Sequence, residues 1–251
     1  MSGFSLDLAV WSGATATLLL LTKLAAPSPR HDRLAGLCLL LAFFAASAGM
    51  ASAAGQGGAL PAWCLYCSPL LALYWILETE FATRLLGLVP AALVTLGPLL
   101  IGHERLVGAP RPVWTTITDA GLIIAMAFLT LALGTWALLL PLRVVPAVQA
   151  RKTARMFVIN PPVLAELAFR CNTWALPFVV GASASALLGI RPGHVPGEVL
   201  LWLLGSLVGN LGYATLARRD GPSWALLLLA GAVTMAAFGW RGLPGSPPVA
   251  P

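Results

Sequence analysis

Apolar runs about twenty residues long, divided by short polar gaps, set the rhythm of this chain. They lie at about 8–26, 34–54, 60–78, 84–102, 118–141, 162–189, 197–217 and 222–240. Each is close to the roughly 20 residues an α-helix needs to cross a hydrocarbon core about 30 Å thick. A helix satisfies its own backbone hydrogen bonds, which lipid cannot do for it. The pattern predicts an all-α fold, a polytopic transmembrane helix bundle of about eight spans forming one integral membrane domain over 1–251. The gaps carry turn chemistry: Pro27-Ser-Pro-Arg30, Gly55-Gln-Gly-Gly58, Gly108-Ala-Pro-Arg-Pro112, Arg191-Pro-Gly193 and Gly221-Pro222. They are too short for an extramembrane domain. Pro90, Pro98 and Pro177 fall inside runs and are read as kinks, which packed membrane helices tolerate. No internal repeat is visible.

Composition agrees: only 10% of the residues are charged, against about 25% in soluble domains. The net charge of +6 would suit nucleic acid, but the basic residues sit in the gaps between apolar runs, where they mark cytoplasmic loops instead. The lipid bilayer is the expected partner and nucleic acid is not. One set of alternate gaps holds Arg30, Arg33, Arg84, Arg143, Arg151, Lys152, Arg155, Arg218 and Arg219; the other holds Arg105, Arg111, Arg191 and Arg241. The first set is therefore expected inside, with both termini periplasmic or extracellular and the chain in a bacterial-type inner membrane. The segment Met1–Asp7 lacks a basic leader, so the first run is expected to stay as a helix. Lys23, near the inner end of that run, can snorkel to the headgroups.

Few residues are left that could carry chemistry. Glu166 and Arg170 stand four apart on the sixth span, on one helical face. Ionisable groups in a membrane are functional candidates by default, but mutual neutralisation is the favoured reading of this intramembrane pair. Asp119 follows Thr115, Thr116 and Thr118 at the start of the fifth span, where a carboxylate suits the positive end of the helix dipole and capping is expected. Cys64 and Cys67 lie three apart at the outer end of the third span, a candidate redox pair, half of a metal site, or a packing pair. Ser68 stands where covalent haem attachment would require histidine. Cys38 and Cys171 are read as packing residues. No histidine lies within a span, which argues against a transmembrane di-haem cytochrome. His103 and His194 occupy gaps on the outer side and could meet as ligands of one haem or metal; His31 lies in an inner gap. Trp63, Trp114, Trp202, Trp224 and Trp240 fall near span ends and are expected as interfacial anchors.

The stretch Leu164-Ala-Glu-Leu-Ala-Phe-Arg170, followed by Trp174-Ala-Leu-Pro-Phe178 and Gly181-Ala182, resembles the helix before the haem loop in the cytochrome c assembly (CcsA/CcmC-type) family. Val195-Pro-Gly-Glu198 stands where that loop carries Asp-Pro-Lys-Glu, and Trp202 and Arg218-Arg219 continue the likeness, which covers roughly residues 112–242. The departures concern the haem itself. Ala186-Leu-Leu-Gly189 replaces the loop tryptophans, the Thr115–Asp119 stretch replaces one axial histidine, and Phe238-Gly-Trp-Arg241 lacks the other. The resemblance implies the scaffold of a haem-handling protein without its haem ligands.

Three functions follow as expectations. The first is haem handling or c-type cytochrome maturation at the outer face by a divergent family member, with haem as the cofactor and membrane or c-type cytochrome subunits as partners. The second is a non-catalytic membrane-anchor subunit of a respiratory or photosynthetic electron-transfer complex. The third is a membrane thiol–disulfide oxidoreductase using Cys64 and Cys67, for which no quinone site or second dithiol is evident. The missing family ligands weigh against an enzyme.

Overall fold

A computed structural model describes residues 2–25, 29–56, 59–81, 84–100, 104–106, 112–144, 161–216 and 222–243. The described residues are nearly all helical, in the order α1 (Ser2–Ala25), α2 (Pro29–Gln56), α3 (Ala62–Phe81), α4 (Leu88–Leu100), α5 (Val113–Val144), α6 (Pro161–Ile190), α7 (Gly197–Leu216) and α8 (Pro222–Arg241). Five of them, α1, α2, α5, α6 and α7, are long and apolar enough to cross a membrane, which fits an integral membrane protein. The apolar stretches Leu88–Pro98 in α4 and Ala225–Arg241 in α8 are shorter. Several helices outrun the apolar runs that announce them. Hydrophobicity marks only the part that lipid demands, whereas intrahelical hydrogen bonding continues into polar turns.

The chain forms two compact units. The first comprises Met1–Ala109, Leu138–Pro161 and Ser246–Pro251; the second comprises Pro110–Ala137 and Pro162–Gly245. In the first unit α1 packs on α2 and α4, α2 on α3, and α3 on α4. A short ribbon of β1 (Ala59–Pro61) and β2 (Glu104–Leu106) pairs antiparallel, with Leu60 opposite Arg105. Glycines let these helices approach closely. A Cβ on Gly13 would come within 2.8 Å of Val94, and one on Gly87 within 2.7 Å of the Tyr74 hydroxyl. Pro90 is the third residue of α4, where its missing N–H has no intrahelical partner to lose, so it does not kink the helix as expected. Pro98 and Pro177 do lie inside helices, as does Pro69 in α3.

The second unit brings α6, α7, α8 and about the first seven turns of α5 together. Phe128 on α5 stacks on Phe178 of α6 with ring centroids 5.9 Å apart, and Trp202 of α7 meets Phe238 of α8 at 5.1 Å. Gly209 of α7 sits so near α8 that a Cβ would lie 2.9 Å from the Leu228 carbonyl. Side-chain hydrogen bonds cross the same contacts. Trp136 Nε1 donates to the Tyr213 hydroxyl (2.6 Å), Asn172 Nδ2 to the Asn210 carbonyl (3.2 Å) and Ser206 Oγ to the Ala232 carbonyl (2.9 Å).

Candidate functional site

One end of the second unit gathers more polar side chains than its hydropathy suggests. α5 begins at Val113, five residues before the apolar run, so Asp119 is the seventh residue of the helix and cannot be its cap. It is instead buried, and Trp240 Nε1 on α8 donates to its Oδ1 at 2.5 Å. This buried hydrogen bond ties the start of α5 to the end of α8. Trp240 is only 1% exposed, so this indole is a buried partner and not an interfacial anchor. Trp63 is likewise buried, whereas Trp114 and Trp202 are exposed as expected of anchors. The side chain of Trp224 lies outside the described residues.

The connection from α6 to α7 closes over this end. Arg191-Pro-Gly193 makes the predicted turn, with Gly193 at φ 74°, a left-handed conformation that favours glycine. Gly193 N–H donates to the Ile190 carbonyl and His194 N–H to that of Gly189, both at 2.9 Å, the paired bonds of a Schellman stop. Val195 then folds back over Gly189, where a Cβ would meet Val195 at 2.6 Å and Trp114 at 3.1 Å. Two hydroxyls hold the arrangement from either side: Thr115 Oγ1 donates to the His194 carbonyl (3.1 Å), and Ser185 Oγ to the Trp114 carbonyl (2.9 Å). The loop is thus held by its backbone, while the His194 side chain is exposed.

The other sequence candidates are spread over the structure. Arg170 Nε donates to Glu166 Oε1 at 2.7 Å, and the two side chains are 48% and 51% exposed, so the expected pair forms at a half-open position. Cys64 and Cys67 are free thiols on α3, both with no exposed surface; Cys171 is equally buried and Cys38 half-buried. His103, Arg111, the Arg151, Lys152 and Arg155 segment, and Arg218-Arg219 lie outside the described residues. Among the described residues no three His, Cys, Asp or Glu side chains converge as a metal-binding set.

A haem held by two axial imidazoles finds one candidate, His194, among the described residues at this end. Asp119 and Trp240, at the same end, are bonded to each other. These residues do not form an axial pair, and no chemistry is routed through the cofactor here. The sequence did not point to Asn172, Asn210, Tyr213 or Trp136, although three of them interrupt apolar runs with a polar group. That interruption is the signal that marks them, because an amide or hydroxyl in a membrane helix is used to hold another helix. Asn172 Oδ1 and both terminal amide atoms of Asn210 are buried with no hydrogen-bond partner. The chain matches no family model, no curated protein and no solved structure, so the reading of this end rests on its own residues.

Proposed function

We propose that this chain is a non-catalytic membrane subunit that anchors a partner of an electron-transfer complex, its second unit retaining a scaffold like that of the cytochrome c assembly proteins. The observation that carries this reading is the Asp119–Trp240 bond. The carboxylate best placed to act at this end is buried and committed to holding two helices together. The loop above it presents its side chains from a backbone fixed on both flanks. Such an end suits recognition of a rigid partner surface, because little conformational entropy remains to be lost on binding. The second unit, Pro110–Ala137 with Pro162–Gly245, also begins and ends near the bounds of the family-like stretch 112–242, of which residues 138–161 belong to the first unit.

The reading is tested by extracting the full chain from its own membrane in mild detergent. Co-purification of a membrane or c-type cytochrome subunit with a chain that itself carries no haem is the expected result. A Soret band in the isolated chain that His194→Ala abolishes would overturn it and restore haem handling.

A further inference from the structure

We infer that a buried water molecule is bound between α6 and α7 of the second unit, held by the side-chain amides of Asn172 and Asn210. Both residues are wholly buried, and both lie inside the apolar spans of their helices, Pro162–Ile190 and Gly197–Leu216. Asn172 stands about 15 Å along the helix axis from the start of its span, and Asn210 about 9 Å from the end of its own. An amide so placed that finds no partner in the protein finds none in lipid either. Asn172 Nδ2 donates to the Asn210 backbone carbonyl at 3.2 Å, which brings the two residues to one level of the α6–α7 contact. It also fixes which end of the Asn172 amide is nitrogen, since only an N–H can face a carbonyl. Asn172 Oδ1, Asn210 Oδ1 and Asn210 Nδ2 are left buried and unpaired among the described residues. Turning the Asn210 amide over exchanges one unpaired atom for the other. The polar neighbours a turn away on the same face of α7 are bonded elsewhere, Ser206 to the Ala232 carbonyl and Tyr213 to Trp136 Nε1.

Two features select water over other small ligands. The unpaired set is mixed, with two oxygens that accept and a nitrogen that donates. A cation would serve the oxygens and meet the nitrogen's hydrogens unfavourably, and an anion would do the reverse. Water serves both: one molecule can donate to the two Oδ1 atoms and accept from Asn210 Nδ2, which makes about three hydrogen bonds, the usual number for a buried water. The second feature is room. α7 lies against the backbone of α8, where a Cβ on Gly209 would meet the Leu228 carbonyl, but among the described residues it meets α6 chiefly through side chains. The side chains that flank Asn172 on the buried face of α6, those of Ala168, Cys171 and Ala175, are all small. Polar groups in membrane helices usually bond straight across to a neighbouring helix; here the crossing from α6 to α7 is completed through water, which bridges nearly as well as a direct bond.

The test is solid-state NMR of the full chain in bilayers of perdeuterated lipid, with asparagine and valine isotope-labelled and magnetisation started on water. The chain's asparagines are Asn160, Asn172 and Asn210, so their side-chain amides can be told apart. Val179 and Val199, fully buried apolar residues on the same two helices, serve as the dry reference. The Asn210 amide should receive magnetisation from water at mixing times at which these valines receive none. Asn172→Leu removes one acceptor and should lower that transfer several-fold, and Asn210→Leu should do the same to the Asn172 amide. Ser206→Ala breaks a hydrogen bond one turn away without touching either amide and should leave the transfer unchanged. Asparagine amides as dry as the valines would overturn the inference, as would a direct correlation between the two side-chain amides without water. Transfer undiminished in both leucine substitutions, or lost equally in Ser206→Ala, would also overturn it, and amide carbonyl shifts that move when sodium is exchanged for potassium would assign the site to a cation instead. Should the leucine substitutions prevent assembly, the unaltered chain decides by whether its Asn210 amide is wet or dry. A partner found or missed in the co-purification bears on none of these outcomes.

Discussion

Both units bring helices together at glycines, and the second adds a set of side-chain hydrogen bonds from helix to helix. In the second, side-chain hydrogen bonds cross from α5 to α8 at Asp119 and Trp240, from α5 to α7 at Trp136 and Tyr213, from α6 to α7 at Asn172, and from α7 to α8 at Ser206. In the first, Ser47 and Ser68 join α2 to α3, and close approach at glycines brings the other helices together, with Gly13 against Val94, Gly49 against Leu6, Gly87 against Tyr74 and Gly97 against Trp63. Lipid offers no hydrophobic drive for helices to associate, so a bundle relies on van der Waals contact between small residues or on polar groups that lipid cannot satisfy. Among the described residues both units use the first means, Gly205, Gly209 and Gly212 of α7 lying against Met235 and Leu228 of α8 much as Gly13 lies against Val94, and the second unit adds the second. Packing contacts are cheap individually and lost by adding volume; polar contacts are few and lost by deleting an atom.

That contrast can be broken in order of expected effect. Trp240→Ala should cost most, about 3–5 kcal/mol in a detergent unfolding titration, because it removes a fully buried aromatic together with its hydrogen bond to Asp119. Trp240→Phe separates the two contributions: it keeps most of the ring and should cost about 1–3 kcal/mol, the cost of removing one partner of a buried hydrogen bond. A Phe variant as stable as the parent would mean the indole acts by volume alone. Gly13→Leu tests the close approach at glycine and should cost about 1–3 kcal/mol through overpacking against Val94, while Gly13→Ala should cost less. Next, Tyr213→Phe should cost about 0.6 kcal/mol and at most about 1.7, as for other hydrogen bonds between membrane helices. A double-mutant cycle with Trp136→Phe should show coupling of that size. The smallest effect belongs to Glu166→Gln, within about 0.5 kcal/mol, since the ion pair is half-exposed and solvent screens it. A loss of several kcal/mol there would reveal a partner beyond Arg170.

The helices were legible because length and apolarity suffice to announce them. The run at 162–189 became Pro161–Ile190 and that at 197–217 became Gly197–Leu216. Arg191-Pro-Gly193 was readable as a turn because proline and glycine restrict or extend backbone freedom locally. The Glu166–Arg170 pair was readable because both partners lie on one helix, where spacing alone fixes distance. Asp119 was misread for the opposite reason. Its partner is 121 residues away, and a helix that starts five residues earlier than its hydrophobicity moves a presumed cap into the interior. Trp240 was misread with it, since nothing local separates an indole that faces an interface from one that faces a buried carboxylate.

The way α6 ends has a consequence for how this surface can change over evolutionary time. The glycine-terminated stop, the Val195 side chain seated on Gly189, and the hydroxyl of Thr115 beneath residue 194 together fix the length of the connection as firmly as its direction. An added or deleted residue there would break several backbone bonds at once, so new specificity at this end must arise by exchanging exposed side chains such as Arg191, His194 and Glu198 one at a time.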